Sequence, residues 1–310
     1  MPSRRTTLLA PLALLLPATA RAQPAAVPVV ASFSVLADMV RSIAGPTTGV
    51  ASIVPAGRDA HGFQPRATDQ RRVQAARLVL ANGLGFDPWM DRLVRSANLL
   101  GPYVKAAEGV TLRTMLDTHG HGHGGGGQRH APRTVTDPHA WQDLGNAPVY
   151  ARNIAAGLKR ALPEAEHPGI DARAEKFVQD AATTDAWVRA QLATVPPERR
   201  RVITGHDAFG HFGAAYGVAF QAPQGVSTES EPSAAEVARL IRLIRDSGIR
   251  AVFMENMSNP RLIEQVAKDA GVRLGGTLYA DALSPPGGPA ETWLGMFRHN
   301  VPLMVAAMGQ

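Results

Sequence analysis

The first half of the chain alternates short apolar runs with segments in which apolar residues recur at helical spacing. The run at residues 29–33 predicts a buried strand, and the helical spacing that follows it continues to Ile43. Two more strands are predicted at residues 50–54 and 78–81, separated by a helix that Thr68 would cap. Because strands alternate with helices here, the pattern predicts parallel strands covered by helices.

A single long helix is predicted near the middle of the chain. Residues 170–195 contain no glycine or proline, and their apolar positions recur at steps of three, four and seven. The pairs Pro168-Gly169 and Pro196-Pro197 would bound this helix, which has roughly seven turns at 3.6 residues per turn. A helix of this length between two α/β regions predicts a stiff connector, assigned to residues 168–195.

A second α/β region follows the long helix. Apolar runs at residues 201–204 and 251–254 predict strands, and Asp207 is expected to open a helix after the first of them. A capping-box pattern that starts at Ser233 precedes another apolar helix. The last segment, residues 289–305, is amphipathic and is predicted to be helical.

These patterns divide the chain into two α/β regions, residues 23–165 and 198–310, on either side of the connecting helix. A low-complexity segment with six glycines interrupts the first region at residues 118–133. A segment of this composition cannot form a packed core, so we expect a mobile surface loop. It is either a low-affinity metal collector or a tolerated insertion without function. Its histidines are His119, His121, His123 and His130.

Residues 1–22 have the pattern of a secretory signal peptide. A basic start at residues 4–5, an apolar run at residues 8–16 and a small-x-small site ending at Ala22 are its three parts. The apolar run is much shorter than the ~20 residues that a membrane-spanning helix needs. No cysteine follows the cleavage site, so a lipid-anchored form is not expected. The mature chain is expected to begin near Gln23 and to reside in the periplasm.

Charge and cysteine content narrow the classes of function. The chain has 32 Lys and Arg against 26 Asp and Glu, a net charge of +6. Removing the three arginines of the signal leaves 29 against 26, or +3, so the charge gives little support to nucleic-acid binding. The sequence has no cysteine, so a metal site must use histidine and carboxylate ligands rather than thiolates.

Four polar residues stand in loops that follow apolar runs or tight turns. His61 and His206 each follow a predicted strand, and loops at strand ends are where α/β sheets place ligand-binding groups. His139 lies in a proline-bounded turn, and Asp281 follows another apolar run. Any one of them alone is more often a hydrogen-bonded loop residue than a ligand. The joint pattern favours one site, and three imidazoles with one carboxylate suit tetrahedral Zn2+.

Four motifs around these residues resemble those of a known family. They are Gly-x-Asp-x-His at residues 57–61, Asp-Pro-His-x-Trp at 137–141, Thr-Gly-His-Asp-Ala-Phe-Gly at 204–210 and Tyr-Ala-Asp-Ala-Leu-Ser at 279–284. From about Val29 to its end, the chain resembles the periplasmic solute-binding proteins of zinc, manganese and iron ABC importers. These are the metal receptors of cluster A-I, and the chain is most similar to their zinc-specific members.

The resemblance implies both a fold and a set of ligands. It implies two α/β lobes, each a small, mostly parallel sheet with flanking helices, joined by one long rigid helix, with the metal in the cleft. Manganese-selective members tend to have Glu where this chain has His206, and a third imidazole favours Zn2+ over the harder Mn2+. Gln64 stands where members usually have an acid, so a carboxylate that could support the nearby ligand His61 is missing, and how its metal affinity is adjusted stays open. The implied metal ligands are His61, His139, His206 and Asp281.

The implied function is that of a receptor and not of an enzyme. It would capture Zn2+ and deliver it to the membrane permease of an ABC transporter, with its ATPase. A periplasmic zinc chaperone is a further expected partner, nucleic acid is not expected, and the protein is expected to be a monomer.

Two alternatives stay open. One is a manganese or iron receptor of the same fold. The other is a zinc hydrolase with Glu255 or Asp207 as its base, although four protein ligands would leave no open coordination position. Glu255 is otherwise interpreted as a residue that supports the site or a hinge.

Overall fold

A computed structural model describes residues 27–117, 133–229 and 232–309 of the chain. The signal peptide predicted for residues 1–22 lies outside the described residues. The loop histidines lie outside them as well, namely His119, His121, His123 and His130. Within the described ranges, no helix is both long enough and apolar enough to cross a membrane.

The N-terminal lobe is built on a parallel four-stranded sheet. Its strands are β1 (Val27–Phe33), β2 (Thr48–Val54), β3 (Leu78–Ala81) and β4 (Tyr103–Lys105), in the order β2-β1-β3-β4. Every neighbouring pair is parallel, as the alternation of strands and helices predicts. All four residues of β3 are buried because helices cover the sheet. Those helices are α1 (Ser34–Ala44), α2 (Ala67–Ala75), α3 (Pro88–Ser96) and α4 (Ala147–Ala161).

A short antiparallel hairpin flanks residues 118–132. It consists of β5 (Thr114–Asp117) and β6 (Arg133–Thr136). The hairpin is not among the elements predicted from the sequence, because its strands, Thr-Met-Leu-Asp and Arg-Thr-Val-Thr, contain no apolar run longer than two residues. Arg133, assigned from the sequence to the loop, is the first residue of β6.

The C-terminal lobe repeats the plan of the first. Its strands are β7 (Arg201–Ile203), β8 (Ala219–Gln221), β9 (Val252–Glu255) and β10 (Leu274–Leu278), in the order β10-β9-β7-β8, and all are parallel. Its helices are α6 (Gly210–Tyr216), α7 (Ala234–Ser247) and α8 (Pro260–Ala270). The predicted capping box begins α7, where Ser233 and Glu236 bond reciprocally through side chain and backbone.

The connecting helix, α5 (His167–Leu192), has 26 residues and lies three residues earlier at each end than the predicted 170–195. Pro168 and Gly169 form its first turn and do not bound it. The amide of a first-turn residue has no helical partner, so proline is tolerated there. At the other end, the N–H of Val195 donates to the carbonyl of Leu192 at 3.0 Å in a closing turn.

The segment after β7 also differs from its prediction. Asp207 does not open a helix, because α6 begins three residues later at Gly210. The backbone N–H of Asp207 instead donates to the carbonyl of Gly225 at 3.1 Å. Residues 204–209 are therefore a loop held against the neighbouring segment.

The last helix, α9 (Trp293–Met308), packs along α5 and reaches the N-terminal lobe. The backbone N–H of Trp293 donates to Oδ2 of Asp38 at 2.7 Å, and its indole N–H donates to the carbonyl of Trp141 at 2.9 Å. One continuous hydrophobic core includes residues of both lobes, α5 and α9, while a smaller core lies under α7 and α8. The lobes are thus joined by packing as well as by the connecting helix.

Candidate metal centre

The four candidate ligands come from four loops, two in each lobe. His61 lies between β2 and α2, and His139 lies in the turn after β6. His206 follows β7, and Asp281 follows β10. Because β2, β7 and β10 belong to parallel sheets, their carboxyl ends can present side chains at one edge of each sheet, and here both edges face the cleft.

The structure brings these four side chains to one point. One ligand atom from each lies within 4.8 Å of the others. Nε2 of His61 and Nε2 of His206 lie 3.1 and 3.0 Å from Oδ2 of Asp281. Nε2 of His139 lies 3.7 Å from Oδ1 of Asp281 and 3.4 Å from Nε2 of His61. Three imidazoles therefore direct the same ring nitrogen at one carboxylate.

The centre is almost entirely shielded from solvent. His139, His206 and Asp281 are 0% exposed, and His61 is 7% exposed. His61 also lines a cleft of ≈ 490 Å³ whose walls include Thr136 and Glu229. Of the four side chains, His61 is the one closest to solvent.

Further carboxylates stand behind two of the imidazoles. Oδ1 of Asp137 accepts hydrogen bonds from the backbone N–H of His139 at 3.0 Å and from its Nδ1 at 2.8 Å. Oε2 of Glu255, at the end of β9, lies 2.5 Å from Nδ1 of His206. The ring of His61 instead packs edge-on against Phe86, with centroids 4.7 Å apart.

These side chains shift one another's pKa values. Burial lowers the pKa of His139. The charge of Asp281 and the hydrogen bond to Asp137 outweigh burial and raise that pKa to about 9. Burial also opposes protonation of His206, yet the charges of Glu255 and Asp281 raise its pKa well above the usual range. The charges of His139 and His206 hold the pKa of Asp281 well below its usual range despite burial. At neutral pH, two imidazolium groups therefore face the buried carboxylates.

The donor set suits a divalent cation. Oδ1 of Asp281 is buried and has no hydrogen-bond partner among the described residues. Such an atom is costly to leave unpaired, and a cation at the point of convergence would pair with it. Three imidazole nitrogens and one carboxylate match a closed tetrahedral zinc shell.

His211, to which no motif of the sequence assigns a role, lies beside the centre. It is buried on α6, and its Nε2 lies 3.3 Å from the backbone carbonyl of Asp137. Burial lowers the pKa of His211, which favours the neutral ring that donates to this carbonyl. His211 thereby joins α6 of the C-terminal lobe to the turn that carries His139. Its distance of five residues from His206 gives no signal of this contact.

Comparisons place the chain among metal-binding transport proteins. The family model described as zinc-uptake complex component A, periplasmic, matches residues 29–307. The solved periplasmic zinc binding protein TroA from Treponema pallidum has a TM-score of 0.81 and 28% identity, over 90% of this chain and 98% of TroA. A manganese-bound mutant of the periplasmic metal binding protein from Candidatus Liberibacter asiaticus has a TM-score of 0.78 and 26% identity, over the same 90% and 98%.

Two related sequences carry the names of other metals. The manganese-binding lipoprotein MntA of Halalkalibacterium halodurans is 29% identical over 282 residues, which cover 91% of this chain and 88% of MntA. The iron-binding protein YfeA of Yersinia pestis is 28% identical over 283 residues, which cover 91% of this chain and 86% of YfeA.

Proposed function

This chain belongs to the family of periplasmic zinc-uptake complex component A, and we propose that it captures Zn2+ and hands it to an ABC importer. Membership makes it a periplasmic, metal-binding substrate-binding protein of such an importer. By name, its relatives bind zinc, manganese or iron. The choice of Zn2+ therefore depends on the residues of this chain.

The observation that carries the proposal is the convergence of four ligand atoms within 4.8 Å. Four protein ligands complete a tetrahedral shell for Zn2+ and leave no position for a substrate. Three of them are imidazoles, contributed by His61, His139 and His206. Nitrogen-rich sites suit Zn2+ better than Mn2+, and Zn2+ lies above Mn2+ and Fe2+ in intrinsic affinity for such ligands.

In this proposal each lobe supplies two of the four zinc ligands. The N-terminal lobe, residues 23–165, supplies His61 and His139, while the C-terminal lobe, residues 198–310, supplies the other two ligands. The membrane permease, driven by its ATPase, docks on the lobes and distorts the ligand loops, so that the ion is released. The protein works as a periplasmic monomer without residues 1–22, and a periplasmic zinc chaperone is a further partner.

A manganese or iron cargo is the alternative, and the names of MntA and YfeA support it. Mn2+ prefers oxygen ligands, and this centre offers only one carboxylate among its four proposed ligands. The test is metal analysis of protein purified without chelator, followed by competition between Zn2+ and Mn2+. The proposal expects one zinc per chain and a preference for Zn2+ of more than about tenfold. Equal affinities, or a preference for Mn2+ or Fe2+, would support the alternative.

A further inference from the structure

Glu255 is a buried carboxylate that the proposed ligand set does not include. It is 4% exposed, and its Oε1 accepts hydrogen bonds from the backbone N–H groups of Gly205 and His206, at 2.7 and 2.9 Å. A Cβ at position 205 would come within 3.3 Å of Oε1, so glycine there permits the close approach. One oxygen of Glu255 thus holds the backbone of the loop after β7.

The other oxygen of Glu255 faces the imidazole of His206. Oε2 lies 2.5 Å from Nδ1, while Nε2, across the ring, lies 3.0 Å from Oδ2 of Asp281. Oε2 and Nδ1 are both buried, and neither has a well-angled hydrogen bond to any residue in the described ranges. Buried polar atoms are rarely left unpaired in proteins. A small rotation of the ring that aligns Nδ1–H with Oε2 pairs both atoms.

We propose that Glu255 is a positioning residue that fixes the tautomer of His206. A neutral imidazole carries one N–H and one lone pair. When the N–H is held at Nδ1 by Oε2 of Glu255, the lone pair lies at Nε2, which is the atom that faces the point of convergence. This inference rests on the proposed function, because it concerns the form in which His206 binds Zn2+.

Glutamine cannot take over this role. Two backbone N–H groups donate at the position of Oε1, so the amide oxygen of the variant Glu255→Gln has to lie there. Its NH2 group then faces Nδ1 of His206. Because NH2 is a donor, it favours the tautomer with the proton at Nε2, which has no lone pair for the metal. The substitution keeps the backbone contacts and removes control of the tautomer.

His139 offers an internal comparison, because its carboxylate is arranged differently. Oδ1 of Asp137 accepts from both the backbone N–H and the Nδ1 of His139, and Oδ2 has no hydrogen-bond partner among the described residues. In the variant Asp137→Asn, the amide oxygen can lie where Oδ1 lies and keep both bonds. This variant also removes a buried charge behind a ligand imidazole, but it leaves the tautomer as it is.

The test compares the two variants in the full chain, with Zn2+ affinity measured by competition against a chromophoric chelator. We expect Glu255→Gln to weaken Zn2+ binding by about 10–100-fold, as for other groups that orient metal-bound histidines. Asp137→Asn should weaken it several-fold less. Long-range 1H–15N spectra of the zinc-free proteins at alkaline pH, where the imidazole is neutral, should show His206 protonated at Nδ1 in the wild type and at Nε2 in Glu255→Gln. Zinc at Nε2 would place the proton at Nδ1 whatever lies behind the ring, so the metal-free proteins are needed to separate a positioning role of Glu255 from a merely structural one.

Three results would overturn the proposal. One is equal loss of affinity in the two variants, and another is a Glu255→Gln affinity within about threefold of wild type. The third is a wild-type spectrum with the His206 proton at Nε2, which decides the matter even if the variant does not fold. A wild type that binds no Zn2+ would overturn the proposed function as well, whereas normal wild-type binding confines a failure to Glu255.

Discussion

Protons and a divalent cation compete for the same imidazole nitrogens at the metal centre. Asp137, Glu255 and Asp281 are buried, and each lies within 3.0 Å of an imidazole nitrogen. Loss of one proton each from His139 and His206 removes two positive charges from the centre, and a divalent ion restores two. Exchange of two protons for the ion therefore leaves the buried charge unchanged, which avoids the cost of an uncompensated buried charge.

Zinc affinity is expected to rise with pH up to about pH 9. An ordinary histidine pKa near ~6.5 would confine the loss of affinity to pH below about 6. Here the pKa of His139 is raised to about 9, and that of His206 is also raised, so protons still have to leave at neutral pH. Each displaced proton adds roughly tenfold in affinity per pH unit below its pKa. Titration of Kd from pH 5 to 9 checks this, and a profile that is flat above about pH 6.5 would contradict it.

The stability of the metal-free protein should change with pH in the opposite direction. The raised pKa of His139 contributes stability that is fully present below the unfolded value of about 6.5 and is lost as pH rises through about 9. The loss is on the order of 3 kcal/mol. Thermal unfolding in chelator should therefore give a Tm several degrees lower at pH 9 than at pH 6. With saturating Zn2+ this decline should disappear, and a Tm that rises with pH in chelator would refute the assignment.

The convergence of the four candidate ligands could be expected from the sequence because each is a metal-binding residue type next to a recognisable local signal. His61 and His206 follow apolar strands, and His139 follows a proline in a tight turn. The contact of His211 with Asp137 could not be predicted, since no spacing reveals which face of a seven-residue helix meets the other lobe. Asp137 faces the backbone and the ring of His139 with one oxygen, whereas Glu255 faces backbone N–H groups with one oxygen and the ring of His206 with the other. This difference depends on three-dimensional positions that the sequence does not reveal.

At the level of elements, apolar runs located the strands well and local breakers located the helix ends less well. The strand at residues 78–81 is found as predicted. A strand covered by helices is buried on both faces, so an uninterrupted apolar run is typical of it. The ends of α5 moved because Pro168 is tolerated in a first turn. Asp207 resembles a helix cap in sequence, but its N–H bonds to Gly225 across the loop. Such contacts between distant segments carry no local signature.

Replacing residues 118–132 with a two-residue hairpin turn, a near-complete deletion, should leave the tight centre intact and lower the total zinc bound per chain. The strands on both sides pair directly up to Asp117 and Arg133, so a short turn can join them. Fixing a glycine-rich segment around an ion costs roughly 1–2 kcal/mol per residue, so histidines there should bind zinc far more weakly than the centre. Equilibrium dialysis at low and high Zn2+ concentration distinguishes the tight class of zinc sites, at the centre, from the weak class, in the segment.

A matched control keeps the length of that segment and replaces its four histidines with glutamine. It should behave as the deletion does, which separates lost ligands from lost length. Loss of the tight class in either variant would mean that the segment supplies a primary ligand. The assignment of His139 or Asp281 would then have to be revised.

At the level of the whole molecule, packing between the lobes limits their relative motion. The continuous core runs through both lobes, α5 and α9, and Trp293 bonds to residues of the N-terminal lobe. Opening the cleft by rotating a lobe would separate contacts throughout this core, whereas a local shift of the loop that carries His61 would separate fewer of them. We therefore expect metal loading to order loops rather than rotate lobes.

Spin labels on the two lobes test this expectation. The chain has no cysteine, so Gln74→Cys on α2 and Arg242→Cys on α7, both exposed in the structure, can be labelled without other changes. The distance between the labels should differ by less than about 2 Å between chelated and zinc-loaded protein. A second pair within one lobe reports the motion of the labels themselves. A shift of the inter-lobe distance well beyond that control would show hinge closure.

Anomalous diffraction at the zinc edge is the strictest test of whether four residues from two lobes hold one zinc ion. Crystals of the zinc-loaded protein should show one strong peak between the lobes. It should lie roughly 2.0–2.2 Å from Nε2 of His61, His139 and His206 and from a carboxylate oxygen of Asp281. A peak that contacts only two of these side chains, or an ion whose coordination shell is completed by water in place of the others, would contradict the proposed site.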